Sequence, residues 1–69
     1  MIKFKLEDSE YIELIKLLKI TNISSSGGEA KHFVDQGEVK LNGKVESRKR
    51  AKIRTGDKVE VFNEVIEIE

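Results

Sequence analysis

Residues 26–43 read Ser-Gly-Gly-Glu-Ala-Lys-His-Phe-Val-Asp-Gln-Gly-Glu-Val-Lys-Leu-Asn-Gly, and they leave the backbone few choices. Ser26 and Glu29 stand at the spacing of a capping box. In that motif the serine hydroxyl accepts from an unpaired N–H, and the glutamate reaches back to the serine's own N–H. A helix therefore starts at Ser26. Ala30, Phe33 and Val34 fall at i, i+3 and i+4 and give it one narrow apolar face. Gly37 stands where a left-handed residue would end it. Val39 and Leu41 then alternate with Lys40 as in a half-buried strand, and Asn42-Gly43 is a strong two-residue hairpin signal.

The rest of the chain must supply the partner surfaces. A chain of 69 residues buries only about 60% of its extended surface, so the expectation is one domain, 1–69, with a compact core. Without cysteine, and with one histidine, neither disulfides nor a histidine-built metal site can hold it together. The N-terminus alternates Ile2, Phe4 and Leu6 with lysines and lacks the apolar run of a signal peptide or membrane span. The reading is a soluble, cytoplasmic protein.

In chain order, residues 2–6 are expected to form a short strand. Asp8 or Ser9 can cap a first helix, with Tyr11, Leu14, Ile15 and Leu18 as its buried stripe. Residues 21–25 link it to the second helix, and a link this short makes the two helices neighbours. After Gly43, residues 47–50 have no clear period and read as a loop. Ile53 returns to the core, Thr55-Gly56-Asp57 is a turn, and Val59 and Val61 alternate into a strand. A turn at Asn63-Glu64 leads to a last strand carrying Ile66 and Ile68. The expected class is α+β, two packed helices against a small, mostly antiparallel sheet with a β-hairpin.

Thirteen basic and thirteen acidic residues cancel overall, but their distribution is uneven. Between Lys40 and Lys58 eight basic residues face two acids, an excess of six positive charges that the remaining chain balances. Exposed charges act over about 8 Å at physiological salt, so a polyanion would feel this local excess rather than the net charge. The run Arg48, Lys49, Arg50, Lys52 and Arg54, with Lys40 and Lys44 on the hairpin, has two readings. One is a charged edge guarded against strand pairing; the other is a phosphate-binding strip. The backbone N–H groups of Gly27 and Gly28 at the helix start are a second candidate, because a helix N-terminus attracts anions and glycine lets a phosphate approach. The same glycines could equally serve as a flexible loop, and Glu29 competes as an anion.

Catalysis finds no support, since no nucleophile has a histidine and acid to activate it and no metal-ligand spacing recurs. The nucleotide-binding loop is also missing, because no lysine and hydroxyl follow the glycines as that motif requires. His32 reads as a plain surface residue. Phe4, Tyr11, Phe33 and Phe62 fall at core-like positions, so no exposed platform for stacking bases is expected.

Ser26, Ala30, Val34, Gly37, Val39, Leu41, Asn42 and Gly43, followed by Gly56-Asp57-x-Val59, match a pattern that resembles the RNA-binding domain named after ribosomal small-subunit protein four, the S-four domain or αL motif. The chain is most similar to small stand-alone bacterial members in which Ser-Gly-Gly-x-Ala-Lys replaces Ser-Arg-x-x-Ala. The resemblance spans about residues 11–62. It implies a non-enzymatic protein, without cofactor or metal, that binds structured RNA on one face. The implied contacts are Ser26, Gly27, Lys31, Lys40, Asn42 and Lys44, with Arg48, Lys49, Arg50 and Lys52 adding charge, beside the Gly28 amide already named at the helix start. Gly27 departs from the pattern, standing where many members carry arginine. Ribosomal RNA or a ribosomal particle is the expected partner of a monomer that takes no small-molecule substrate and does not enter membranes. Two other classes stay open: a protein-binding adaptor that uses the charged strip, and a β-grasp sulfur carrier. The second lacks the terminal Gly-Gly it would need, since the chain ends Ile66-Glu67-Ile68-Glu69.

Overall fold

The computed structural model describes all 69 residues. Strand β1 (Ile2–Phe4) is followed by a two-residue strand, β2 (Ile12–Glu13), and by helices α1 (Leu14–Ile20) and α2 (Gly27–Asp35). Strands β3 (Val39–Leu41), β4 (Lys44–Val45), β5 (Lys52–Ile53), β6 (Lys58–Val61) and β7 (Glu64–Ile68) complete the chain. Five strands form one sheet in the order β1-β7-β6-β3-β4, and β2 pairs with β5 in a separate ladder. Every pair is antiparallel except β1 with β7, which lie parallel. The expected α+β class with a helix pair on a mostly antiparallel sheet is the observed one.

Alternation explains which face the helices cover. Val39, Val59, Val61 and Ile66 are completely buried, and they pack with Leu14, Leu17, Leu18, Ala30 and Val34 of the helices. Their strand neighbours must point the other way, so the outer face carries Lys40 beside Glu60, and Glu67 between Lys58 and Lys3. Opposite charges directly across a sheet attract modestly, so this face is stable in water without a cover.

Helix α2 has the local chemistry that the sequence announces. Ser26 Oγ accepts the Glu29 N–H at 3.1 Å. The Glu29 carboxylate closes the box one residue earlier than expected, accepting from Ser25 N–H at 2.8 Å. At the other end Gly37, at φ +73°, donates to the Val34 carbonyl, and Glu38 donates to that of Phe33. Those two bonds are the paired C-terminal closure that a left-handed residue permits. Asn42 and Gly43 both have positive φ, +52° and +87°, as the tightest hairpin turn demands.

Helix α1 departs from its expected start. Asp8 and Ser9 do not cap it. Its first residue is Leu14, whose N–H is satisfied by the Ala51 carbonyl at 2.9 Å, while Ile15 N–H donates to the Lys49 carbonyl at 3.2 Å. The buried stripe is Leu14, Leu17 and Leu18, with Ile15 only half-buried. Tyr11 precedes the helix and remains 38% exposed. The later turn also falls one residue early, at Phe62-Asn63, because β7 begins at Glu64.

Candidate nucleic-acid interface

The two bonds that cap α1 also place the basic run. Because the carbonyls of Lys49 and Ala51 are tied to the first turn of α1, residues 46–51 are pinned across the head of that helix. Ala51 is buried as the anchor. The flanking cations are pushed outward, and their partners differ. Arg48 grips the Glu46 carboxylate with two side-chain bonds of 3.1 Å and a backbone bond of 2.9 Å. The Arg48 hydrogen bonds hold the Glu46 carboxyl below its ordinary value, and the same contact raises Arg48. Lys49 Nζ reaches Asp35, in the last turn of α2, at 3.2 Å. Arg50 makes no ion pair.

The start of α2 is open. The N–H groups of Gly27 and Gly28 donate to nothing within the protein, as expected for the first turn of a helix. A side chain added at Gly27 would meet no atom within 4 Å, and one at Gly28 would meet only Ser26 Oγ, at 3.9 Å. Gly27 is thus not required by packing, and an arginine would fit there. Glu29 spends one carboxylate oxygen on Ser25, although its charge stays at the tip.

The tip and the basic loop lie at opposite ends of α2, about 12 Å apart at 1.5 Å per residue. One side of the helix joins them, because residues four apart are surface neighbours. Gly27, Lys31 and Asp35 follow that spacing, and Asp35 receives Lys49. A row therefore runs from the free amides through Lys31 to the Lys49 ammonium, and the exposed Arg48 and Arg50 flank Lys49 in the chain.

Other sequence candidates are not brought into that row. Lys40 pairs with Glu60 and Val45 on the outer face of the sheet, away from the helices. Lys44 lies opposite Leu41, on the helix side of the sheet but on its edge strand, and makes no ion pair with α2. Asn42 has both amide atoms committed within the protein: Nδ2 donates to Asp57 at 3.0 Å, and Oδ1 accepts Lys58 N–H at 2.8 Å. Asp57 in turn accepts Arg54 N–H at 2.8 Å, so the two turns are latched together. Lys52 sits on the β2–β5 ladder, its ammonium 5.1 Å from the centre of the Tyr11 ring, with the Arg54 guanidinium at 5.6 Å.

Two aromatics overturn the expectation of core positions. Besides Tyr11, Phe62 is 58% exposed and meets Phe33 edge-on at 5.0 Å. Periodicity could not reveal either: Tyr11 immediately precedes a two-residue strand, and Phe62 occupies a turn at φ +55°. No group of acidic, histidine or cysteine side chains is arranged to hold a metal ion. No helix is long and apolar enough to cross a membrane.

Comparison with known proteins settles the family, since the S4 domain matches residues 4–69. This chain belongs to the S4 domain family. The match extends beyond the expected 11–62, taking in the last residue of β1 and the whole of β7. YbcJ of Escherichia coli (strain K12) is 38% identical over 68 residues, covering 99% of this chain and 97% of YbcJ. The solution structure of YbcJ, described as revealing an αL motif involved in RNA-binding, superposes with a TM-score of 0.76 over 99% of this chain and 86% of that one. RlbA of Bacillus subtilis (strain 168), named a probable ribosome maturation protein, is 39% identical over 54 residues, covering 78% of this chain and 76% of RlbA. S4 domain membership removes the basis for the β-grasp alternative.

Proposed function

We propose that this protein is a single-domain, non-enzymatic RNA-binding protein that holds structured RNA along one side of α2. The observation that carries the reading is the row of Gly27 and Gly28 amides, Lys31 and the Lys49 ammonium along α2, with Lys49 and the exposed Arg50 carried on the loop that caps α1. Such a row meets phosphates at several points of one backbone. It supplies affinity and orientation more than base readout. Shape and 2′-hydroxyl contacts are then what distinguish a folded RNA from other polyanions.

Within this reading Lys31, Lys49 and Arg50 carry charge to the RNA, Ser26 holds the helix tip, and Gly27 and Gly28 offer their amides. Arg48 contributes after loosening from Glu46. Asn42 acts by holding the hairpin to the 54–58 turn, and Lys40 and Lys44 are peripheral. The relatives support ribosomal RNA, or a particle undergoing maturation, as the target, and a cytoplasmic location with it. Binding of a labelled ribosomal RNA hairpin, followed by fluorescence anisotropy at several salt concentrations, tests the proposal. The expected result is an affinity that falls steeply with salt and weakens when Lys31 and Arg50 are changed to Ala. A protein partner that survives ribonuclease at unit stoichiometry, with no RNA binding, would favour an adaptor instead.

A further inference from the structure

Tyr11 stands outside the α2 row and does no evident work in the core. Tyr11 precedes β2 by one residue, and continuing the antiparallel register of Ile12 with Ile53 by one step sets it opposite Arg54, on the same side as Glu13 and Lys52. Both cations lie within about 6 Å of the ring centre, where a tyrosine face attracts positive charge. Neither makes an ion pair, although Glu13 sits directly opposite Lys52.

Beside the ring lies an open groove of about 410 Å³. Phe4, Leu6 and Ile20 give it apolar walls, Tyr11 a flat aromatic one, and Glu13 and Lys16 line it from the β2–α1 segment. Glu13, Lys16 and Ile20 recur at three- and four-residue steps, so the groove follows the side of α1 turned away from the core. The carboxylate of Glu13 makes no hydrogen bond and is a free acceptor. Glu13 and Lys16 balance each other in the groove wall, Glu10 adjoins Tyr11 in the chain, and the positive charge is that of Lys52 and Arg54 at the ring; Ile20 is 52% exposed.

We infer that this groove takes one unpaired nucleotide of the bound RNA, its base against Tyr11 and its phosphate at Lys52 and Arg54; the inference rests on the RNA-binding reading above. The occupant must have a flat apolar face and an anion a few ångströms away, and that pairing is the chemistry of a nucleotide. An aliphatic peptide would fill the walls and leave the cations without partners. An acidic peptide would satisfy the cations and make no use of the aromatic wall. A base edge carrying amino groups has its acceptor in Glu13. A protein otherwise reading backbone and shape would thereby gain a preference for RNA with a loop or bulge over a continuous duplex.

Tyr11 is the sole tyrosine and the chain has no tryptophan, so its emission reports on this groove alone. A hairpin RNA with a six-nucleotide unpaired loop and a blunt duplex of the same stem are titrated against the protein, with tyrosine emission and the anisotropy of a labelled RNA read together. The groove predicts saturable quenching by the hairpin and none by the duplex. It also predicts that Tyr11→Leu weakens hairpin binding about tenfold, as loss of one stacked base does, while duplex affinity is unchanged. The double variant Lys52→Gln, Arg54→Gln, which leaves the ring in place, should reduce quenching in the same titration. Hairpin binding by anisotropy without quenching overturns the groove and leaves the α2 reading intact. Equal weakening of hairpin and duplex by Tyr11→Leu overturns it too. Quenching by poly-glutamate at the same concentration and salt would make the groove a protein-docking surface. Absence of any RNA binding overturns both readings.

Discussion

Lys49 and Asp35 meet at 3.2 Å, joining the basic loop to the last turn of α2. Both side chains are about half exposed. Such a surface pair contributes at most about 1 kcal/mol to stability. Its larger effect is on the charge available to RNA, because Asp35 draws off a cation that faces the proposed backbone track. Asp35→Asn is expected to tighten RNA binding several-fold and to steepen the dependence of log K on log salt by up to about one unit. The melting temperature should shift little. Anisotropy titrations at four salt concentrations check the first expectation, and a thermal melt checks the second.

Gly27 offers a gain-of-function test. Its backbone is helical, its φ is not positive, and a side chain there enters open space. Gly27→Arg should fold at least as well as the wild type, since glycine within a helix costs about 0.5–1 kcal/mol relative to alanine. Its affinity for structured RNA should rise, with the salt slope steeper by about one phosphate contact. Weaker binding would mean that RNA approaches the tip too closely for a side chain, and would assign the contact to the backbone amides.

Glu46 links pH to stability. Its carboxyl is held below the ordinary value of 4.5, chiefly by the Arg48 side chain. A depressed carboxylate contributes stability that is present above the unfolded-state value and is lost as pH falls through the folded one. The loss is therefore expected below about pH 4.5, with none between pH 6 and 8. Glu46→Gln should flatten the acid limb of a urea-denaturation series. At neutral pH it should free Arg48 and strengthen RNA binding.

Asn42 and Asp57 latch the hairpin to the following turn without joining the α2 row. Removing the carboxylate in Asp57→Ala leaves Asn42 Nδ2 and Arg54 N–H without their protein partners, although solvent can replace part of both bonds. Both bonds are exposed, so a loss of about 1 kcal/mol is expected, read as a lower midpoint in urea. RNA affinity measured at low temperature, where the variant is folded, should change less than twofold.

How far the sequence could be read depended on where the deciding contacts lie along it. Ser26, Glu29 and Gly37 settle both ends of α2 within a few residues of themselves, so that helix and its open tip were legible. The start of α1 was not, because its cap is the carbonyls of Lys49 and Ala51 and no local side chain signals it. Asp8 and Ser9 were plausible caps that the fold does not use. Lys40 was grouped with the basic run by sequence distance, yet the alternation of buried Val39 and half-buried Leu41 around it already placed its side chain on the opposite face. Tyr11 has a spacing to Leu14 and Leu18 that suits a helical stripe. The long-range pairing of Ile12 with Ile53 instead makes that segment a strand. Ser24 remains without account: its hydroxyl is buried and has no hydrogen-bond partner.

The most direct measurement of the central claim is amide chemical-shift mapping by NMR as a structured RNA is added to the labelled protein. If RNA docks along α2, the largest changes fall on Gly27, Gly28, Lys31 and residues 48–50, with Lys3, Lys40, Lys58 and Glu67 on the outer sheet face nearly unmoved. Changes concentrated on that outer face, with the α2 row silent, would contradict it.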